Sequence, residues 1–137
     1  MLVDSSIPTQ AKSLMKEKFV HISHDTRTNI LYVKWIGFLR LDDVKKAGKF
    51  LLDYVAKSRI TLNFNDQTEL KVLSTEVQQY LMGELFPGIE KGGMKKVGVL
   101  LSEDLFAQAS VGNVNAKVGL QVQVFGNANL CTEWLLK

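Results

Sequence analysis

Alternating apolar and polar positions open the readable part of the chain. In KFVHISHD (18–25), Val20 and Ile22 alternate with His21 and Ser23, and NILYVKWIGF (29–38) is rich in β-branched and aromatic residues. Asp25, Thr26, Arg27 and Thr28 supply turn chemistry between them, so the pair predicts an antiparallel hairpin whose second strand ends at Gly37. The period then lengthens. In LDDVKKAGKFLLDYVAKS, Val44, Ala47, Leu51, Tyr54 and Val55 recur at helical spacing while Lys45, Lys46, Lys49 and Asp53 take the other face. Asp42 and Asp43 stand in the first turn and Lys57 near the last, as the helix dipole favours.

A third strand follows at RITLNFN (59–65), and DQTELKVL (66–73) reads as a loop or a short helical turn. A second helix begins near Ser74, with Thr75 and Gln78 as its capping box and Val77, Tyr80, Leu81 and Leu85 as its apolar stripe. Pro87-Gly88 kinks or frays it and Gly92-Gly93 stops it. KKVGVLLS (95–102) is a nearly continuous apolar run, the mark of a strand buried on both faces. A weaker helix is expected over 103–118, then a strand at LQVQVFG (120–126). A short final helix in 127–137 should pack Leu130, Trp134 and Leu135. Residues 1–16, with Pro8 and many small polar residues, read as a mostly irregular arm before one domain at 17–137. The order β-β-α-β-α-β-α-β-α requires right-handed crossovers and largely parallel pairing. The fold class is α/β: a mixed five-stranded sheet, an antiparallel N-terminal hairpin plus parallel strands, flanked by about four helices.

Composition narrows the function classes. The chain has 137 residues, enough for one core without metal or disulfide staples, and 46% are hydrophobic against 23% charged. A formal charge of +3, evenly scattered, does not make a nucleic-acid surface. The single cysteine, Cys131, leaves no disulfide framework or cysteine zinc site within one chain. No apolar run reaches the roughly 18 residues of a membrane span. The polar start carries Asp4 and does not read as a secretory signal, so a reduced, cytoplasmic protein is expected.

The hairpin with YVKWIGF (32–38), the helix, LNFND (62–66) closing a strand and LSTEVQQYL (73–81) opening a helix together resemble the STAS-like family with the SpoIIAA fold. KGGMKKVGVLLSEDLF (91–106) and VQVFGNANLCTEWL (122–135) extend the likeness over roughly residues 17–136, narrowly to bacterial SpoIIAA-like proteins. The resemblance implies that architecture, and the fold family includes lipid-binding relatives. The antagonists of this family carry a phosphorylated serine in an Asp-Ser-Ser-Gly-like segment. Here the corresponding stretch reads NFNDQTELKVLSTEV (63–77), whose only hydroxyls are on Thr68, Ser74 and Thr75, so a kinase-controlled switch is not implied.

Chemistry-bearing residues are sparse. His21 and His24, the two histidines, fall on opposite faces of a strand and cannot share a metal. No G-x-S-x-G elbow frames Ser102 or Ser110, and GIEKGGMKK (88–96) precedes a strand where a phosphate loop would follow one. Trp35, Phe38, Tyr54, Tyr80 and Trp134 read as core, Cys131 as helix packing, and 111–122 as a loose helix or a lid. The polar cluster Asn63, Asn65, Asp66, Gln67 and Thr68 is expected at the C-terminal end of a parallel strand, where open α/β sheets place ligands. Ser74 or Thr75 would begin a helix whose amides receive an anion, and Ser102 opens on the same edge. The partner- or ligand-binding candidates are therefore Asn63, Asn65, Asp66, Thr68, Ser74, Thr75 and Ser102, with no metal and no cofactor. The function expected is a non-enzymatic interaction module that binds a protein partner, with a homodimer open to it. The alternative is a carrier of a small apolar, lipid-like ligand, held between the sheet and the helices around 80–90 and 103–118.

Overall fold

The computed structural model describes residues 6–72, 74–103 and 120–137. The hairpin forms as β2 (Val20–Asp25) and β3 (Ile30–Phe38), paired antiparallel with Val20 opposite Trp35. In its turn, Asp25 Oδ1 accepts the Arg27 amide at 3.0 Å, and Asn29 takes the left-handed conformation at φ 59° that asparagine tolerates. Before it lies β1 (Lys12–Lys16), antiparallel to β2, in a stretch expected to be irregular. The register slips between Ser13 and Met15, and this bulge breaks the alternation by which a strand is recognised.

After β3, α1 (Leu41–Ser58) buries Val44, Ala47, Gly48, Leu51 and Val55 along one stripe. β4 (Leu62–Val72) pairs parallel to β3 and runs well past the expected end at residue 65. Again a slip explains the miss: Lys34 faces Asp66, but Ile36 faces Glu69, so β4 holds an extra residue. α2 (Thr75–Tyr80), a π turn (Leu81–Leu85) and α3 (Phe86–Lys91) continue without a break. The N-cap is Ser74, one residue before the expected capping box, and its hydroxyl accepts the Val77 amide at 3.2 Å. Irregularity falls at the π turn, just before Pro87, and the helical backbone runs on through it.

β5 (Lys96–Leu100), β6 (Gln121–Phe125) and α4 (Ala128–Leu136) complete the described chain. The sheet has six strands, in the order β1-β2-β3-β4-β5-β6, with β3 to β6 all parallel. It exceeds the expected five because β1 joins its edge. The expected helix at 103–118 and the lid reading of 111–122 fall largely outside the described residues.

The sheet carries helices on both faces. The first face, with Val20, Ile22, Leu31, Val33, Trp35, Val97 and Val99, packs under α1, α2, the π turn and α3 as the main core. Gly48 lets α1 and α2 close on one another, since a Cβ there would stand 2.1 Å from the Tyr80 hydroxyl. The second face is covered more sparingly, by Ile7 of the arm and by α4, around Ile30, Tyr32, Phe64, Leu100 and Phe125. A Cβ on Gly98 would stand 2.5 Å from Cys131 Sγ, so α4 seats directly on β5. Cys131 and Leu135 face inward from α4, whereas Leu130, expected inside, is 56% exposed. Phe38 also departs from expectation. It is 72% exposed at the end of β3, following Gly37 at φ +77° and a register slip.

Candidate functional site

The polar cluster of β4 is divided by the alternation of the strand. Asn63, Asn65 and Gln67 point to the first face, beneath the helices. Asn63 Nδ2 donates to the Leu31 carbonyl at 2.8 Å, and Gln67 Nε2 donates to Asn65 Oδ1 at 3.1 Å. Both asparagines are almost fully buried and line a cavity of about 10 Å³ with Leu51, Val55 and Phe86, about the space of one water. A buried carboxamide is tolerated because its hydrogen bonds are made inside.

Asp66 and Thr68 face the other way. Asp66 Oδ2 accepts from Ser6 Oγ at 2.5 Å, and its Oδ1 accepts the Thr68 amide at 2.9 Å and the Thr68 hydroxyl at 2.7 Å. These bonds satisfy the extra residue of the bulge and pin the N-terminal arm to the second face. Next to Asp66 on β3, Lys34 pairs with Glu69 across the slip. Burial, then the charge of Asp66, pushes the Cys131 thiol up to about 12, so it is protonated and inert at neutral pH.

Ser74 is spent as an N-cap, Thr75 is exposed in the first turn of α2, and Ser102 is half-buried just beyond β5. The Ser74 hydroxyl already accepts the Val77 amide, one of the amides an anion would use at that terminus. Thus the seven candidate residues do not converge. They occupy the buried face of β4, the bulge on its opposite face, and the loops at the C-terminal ends of β4 and β5.

The histidines separate as expected. His24 faces α1, with Nδ1 bonded to the Tyr54 hydroxyl and Nε2 to Asn29 Oδ1, each at 2.8 Å. His21 lies on the second face, its Nε2 at 3.2 Å from the hydroxyls of both Ser13 and Ser23. Partial burial, with Lys16 and Lys34 nearby, lowers its pKa and favours the neutral ring. Among the described residues no group of three or more His, Cys, Asp or Glu side chains gathers to hold a metal.

A cleft of about 230 Å³ lies where α2 and the π turn meet the sheet. Leu81, Met82 and Phe86 form its helical wall, and Val99, Val122 and Val124 its floor. Gln67 and Gln78 are its polar residues, so the Asn65–Gln67 hydrogen bond links the buried carboxamides to the cleft. The apolar ligand expected between the sheet and the helix around 80–90 falls at this cleft, though the sequence singled out no lining residue for it. Its one signal was Met82-Gly83, which interrupts the apolar stripe where the π turn forms and leaves Met82 48% exposed. No described helix is long and apolar enough to cross a membrane.

No family model and no curated protein matches this chain. Among solved structures, an uncharacterized DUF3478-family protein with a SpoIIAA-like fold from Shewanella loihica aligns at 19% identity and a TM-score of 0.59. That alignment covers 94% of this chain and 98% of the other. SiaC of Pseudomonas aeruginosa aligns at 14% identity and a TM-score of 0.42, covering 85% of this chain and 100% of its own. The parallel β3-to-β6 order, the helices of the first face and the first of these alignments agree: the chain has a SpoIIAA-like fold.

Proposed function

We propose that this protein is a non-enzymatic interaction module that binds a protein partner at the cleft beside α2. The observation that carries this reading is the lining of the cleft. Its described residues are apolar apart from two glutamines, and none of them titrates, so the site offers burial and neutral hydrogen bonds in place of acid–base or nucleophilic groups. A volume of about 230 Å³ suits one large apolar side chain of a partner segment, the kind of anchor that dominates binding energy. Met82 stands exposed there, and methionine adapts its shape to what it meets. Its single buried cysteine suits a reducing cytoplasm.

Met82→Glu places a charge on this surface at an already exposed position and should leave the fold intact. Partners cross-linked to the wild-type chain in its own cells should be lost from the variant, and equal recovery would refute the cleft as the docking surface. A second reading has the same observation behind it: the cleft receives a small apolar molecule. Native mass spectrometry then shows extra mass of a few hundred daltons that disappears on denaturation.

A further inference from the structure

The two edges of the sheet are built differently. β1 carries Lys12 and Lys16 at its ends and a register slip between them, both devices that keep a strand edge from pairing with another chain. β6 at the opposite edge reads QVQVF, with no charge, no proline and no slip against β5. Its backbone direction follows from two bonds: the Gln121 amide donates to the Lys95 carbonyl, and the Phe125 carbonyl accepts from the Leu101 amide, each at 2.9 Å. Because backbone groups alternate in direction along a strand, Gln121, Gln123 and Phe125 bond to β5. The N–H and C=O of Val122 and Val124 point to the outer edge, beyond which the sheet of described residues has no further strand. Gln121 is exposed, and Gln123 and Val124 are only half-buried.

We propose that β6 is a pairing edge and that its occupant is β6 of a second copy of this chain, antiparallel about a two-fold axis at Gln123. The sequence of the strand favours this occupant, for QVQVF is nearly self-complementary when reversed. Val122 of one copy then lies opposite Val124 of the other, and each such pair exchanges both of its outward hydrogen bonds. On the first face valine meets valine. On the second, the two Gln123 carboxamides meet at the axis, where opposed Cα atoms stand about 4.5 Å apart and side chains are close. The contact is isologous and closes at two copies, whereas β6 against β1 would propagate without end and would meet the lysines and slip of β1. This inference rests on the backbone of the edge, and it shares Val122 and Val124 with the floor of the cleft.

The test is the mass of the full chain in solution, followed from low to high micromolar concentration by sedimentation. Twice the 15.4 kDa chain mass is expected at the upper end. Gln123→Lys sets two ammonium groups against each other at the axis and should raise the dissociation constant at least about tenfold. Gln123→Cys, oxidised with glutathione disulfide, should give a covalent dimer, since Cα atoms about 4.5 Å apart lie within disulfide range. Ser13→Cys on the β1 edge should not, and buried Cys131 stays out of the reaction. A wild-type chain that remains monomeric throughout overturns the proposal. So does a dimer that Gln123→Lys leaves intact and Gln123→Cys fails to link. If Gln123→Lys does not fold, the cysteine pair decides alone.

Discussion

The two faces of the sheet divide stability and polarity in opposite ways. The first face holds the larger core, under α1 and the α2–α3 run, yet it is there that β4 inserts Asn63, Asn65 and Gln67. The second face holds a small cluster under α4 and the arm, and there β4 contributes Leu62 and Phe64 before turning polar at Asp66. A large core can absorb buried carboxamides because their bonds are internal and many apolar neighbours offset the desolvation. The smaller face depends instead on a few point contacts. Ser6 holds the arm to Asp66, Lys96 Nζ bonds the Trp134 carbonyl at 2.9 Å, and the same ammonium sits 5.1 Å from the Trp134 ring.

The largest effect that would sharpen this contrast is a truncation on each face. Trp35→Ala, at a fully buried first-face position, should cost about 3–5 kcal/mol, while Leu135→Ala should fall nearer about 2 kcal/mol because α4 can settle onto the gap. Urea unfolding of both variants measures the difference, and a reversed order would make α4 the main layer. Next come the polar contacts. Asn63→Ala should cost about 1–3 kcal/mol, since it takes a buried donor from the Leu31 carbonyl, and Asp66→Ala about 1 kcal/mol or more, since it takes the acceptor from the part-buried Ser6 and Thr68. They should differ in hydrogen exchange: only Asp66→Ala should speed exchange in residues 6–11, by releasing Ser6.

Cys131 gives a smaller, pH-dependent effect. Its folded pKa is raised from 9.0 to about 12, chiefly by burial, so its contribution is complete below pH 9 and is lost as pH rises toward 12. Cys131→Ala should flatten that part of the alkaline profile, leaving the parallel loss from Tyr32, also raised to about 12 by burial. Iodoacetamide should modify the thiol only after unfolding. His21 gives the smallest effect. Its pKa is lowered, so its contribution is present above 6.5 and is lost as pH falls below that value through the folded pKa. A stability profile of His21→Gln that matches the wild type between pH 5 and 6.5 would refute this.

How much of this could be read in advance depended on regularity. The hairpin, α1, β5, β6 and α4 keep one period from end to end, and the sequence located each of them and their parallel order. β1 and the far half of β4 escaped because a bulge shifts the alternation by one residue in each. Phe38 escaped because its hydrophobicity suggested burial, while Gly37 and a slip turned it outward.

The candidate site was legible only as a list of residue types. The sequence ends the strand at residue 65 and holds Asn63, Asn65, Asp66, Gln67 and Thr68 as one cluster, which the longer β4 divides between two faces. It could not say which face the helices would cover. Nor could it bring Gln67 to a cleft formed with Leu81, Met82, Val99 and Val122, residues from three other elements. By itself the sequence determined fold class, the order of the described elements from the hairpin onward, the apolar stripes of α1 and α2 and the absence of a familiar catalytic motif, because each of these is written in local period and spacing. Tertiary structure alone decided the sixth strand, the separation of the candidate residues, the residues that line the cleft and the outward edge of β6, because each depends on strand register and on contacts between segments far apart in the chain.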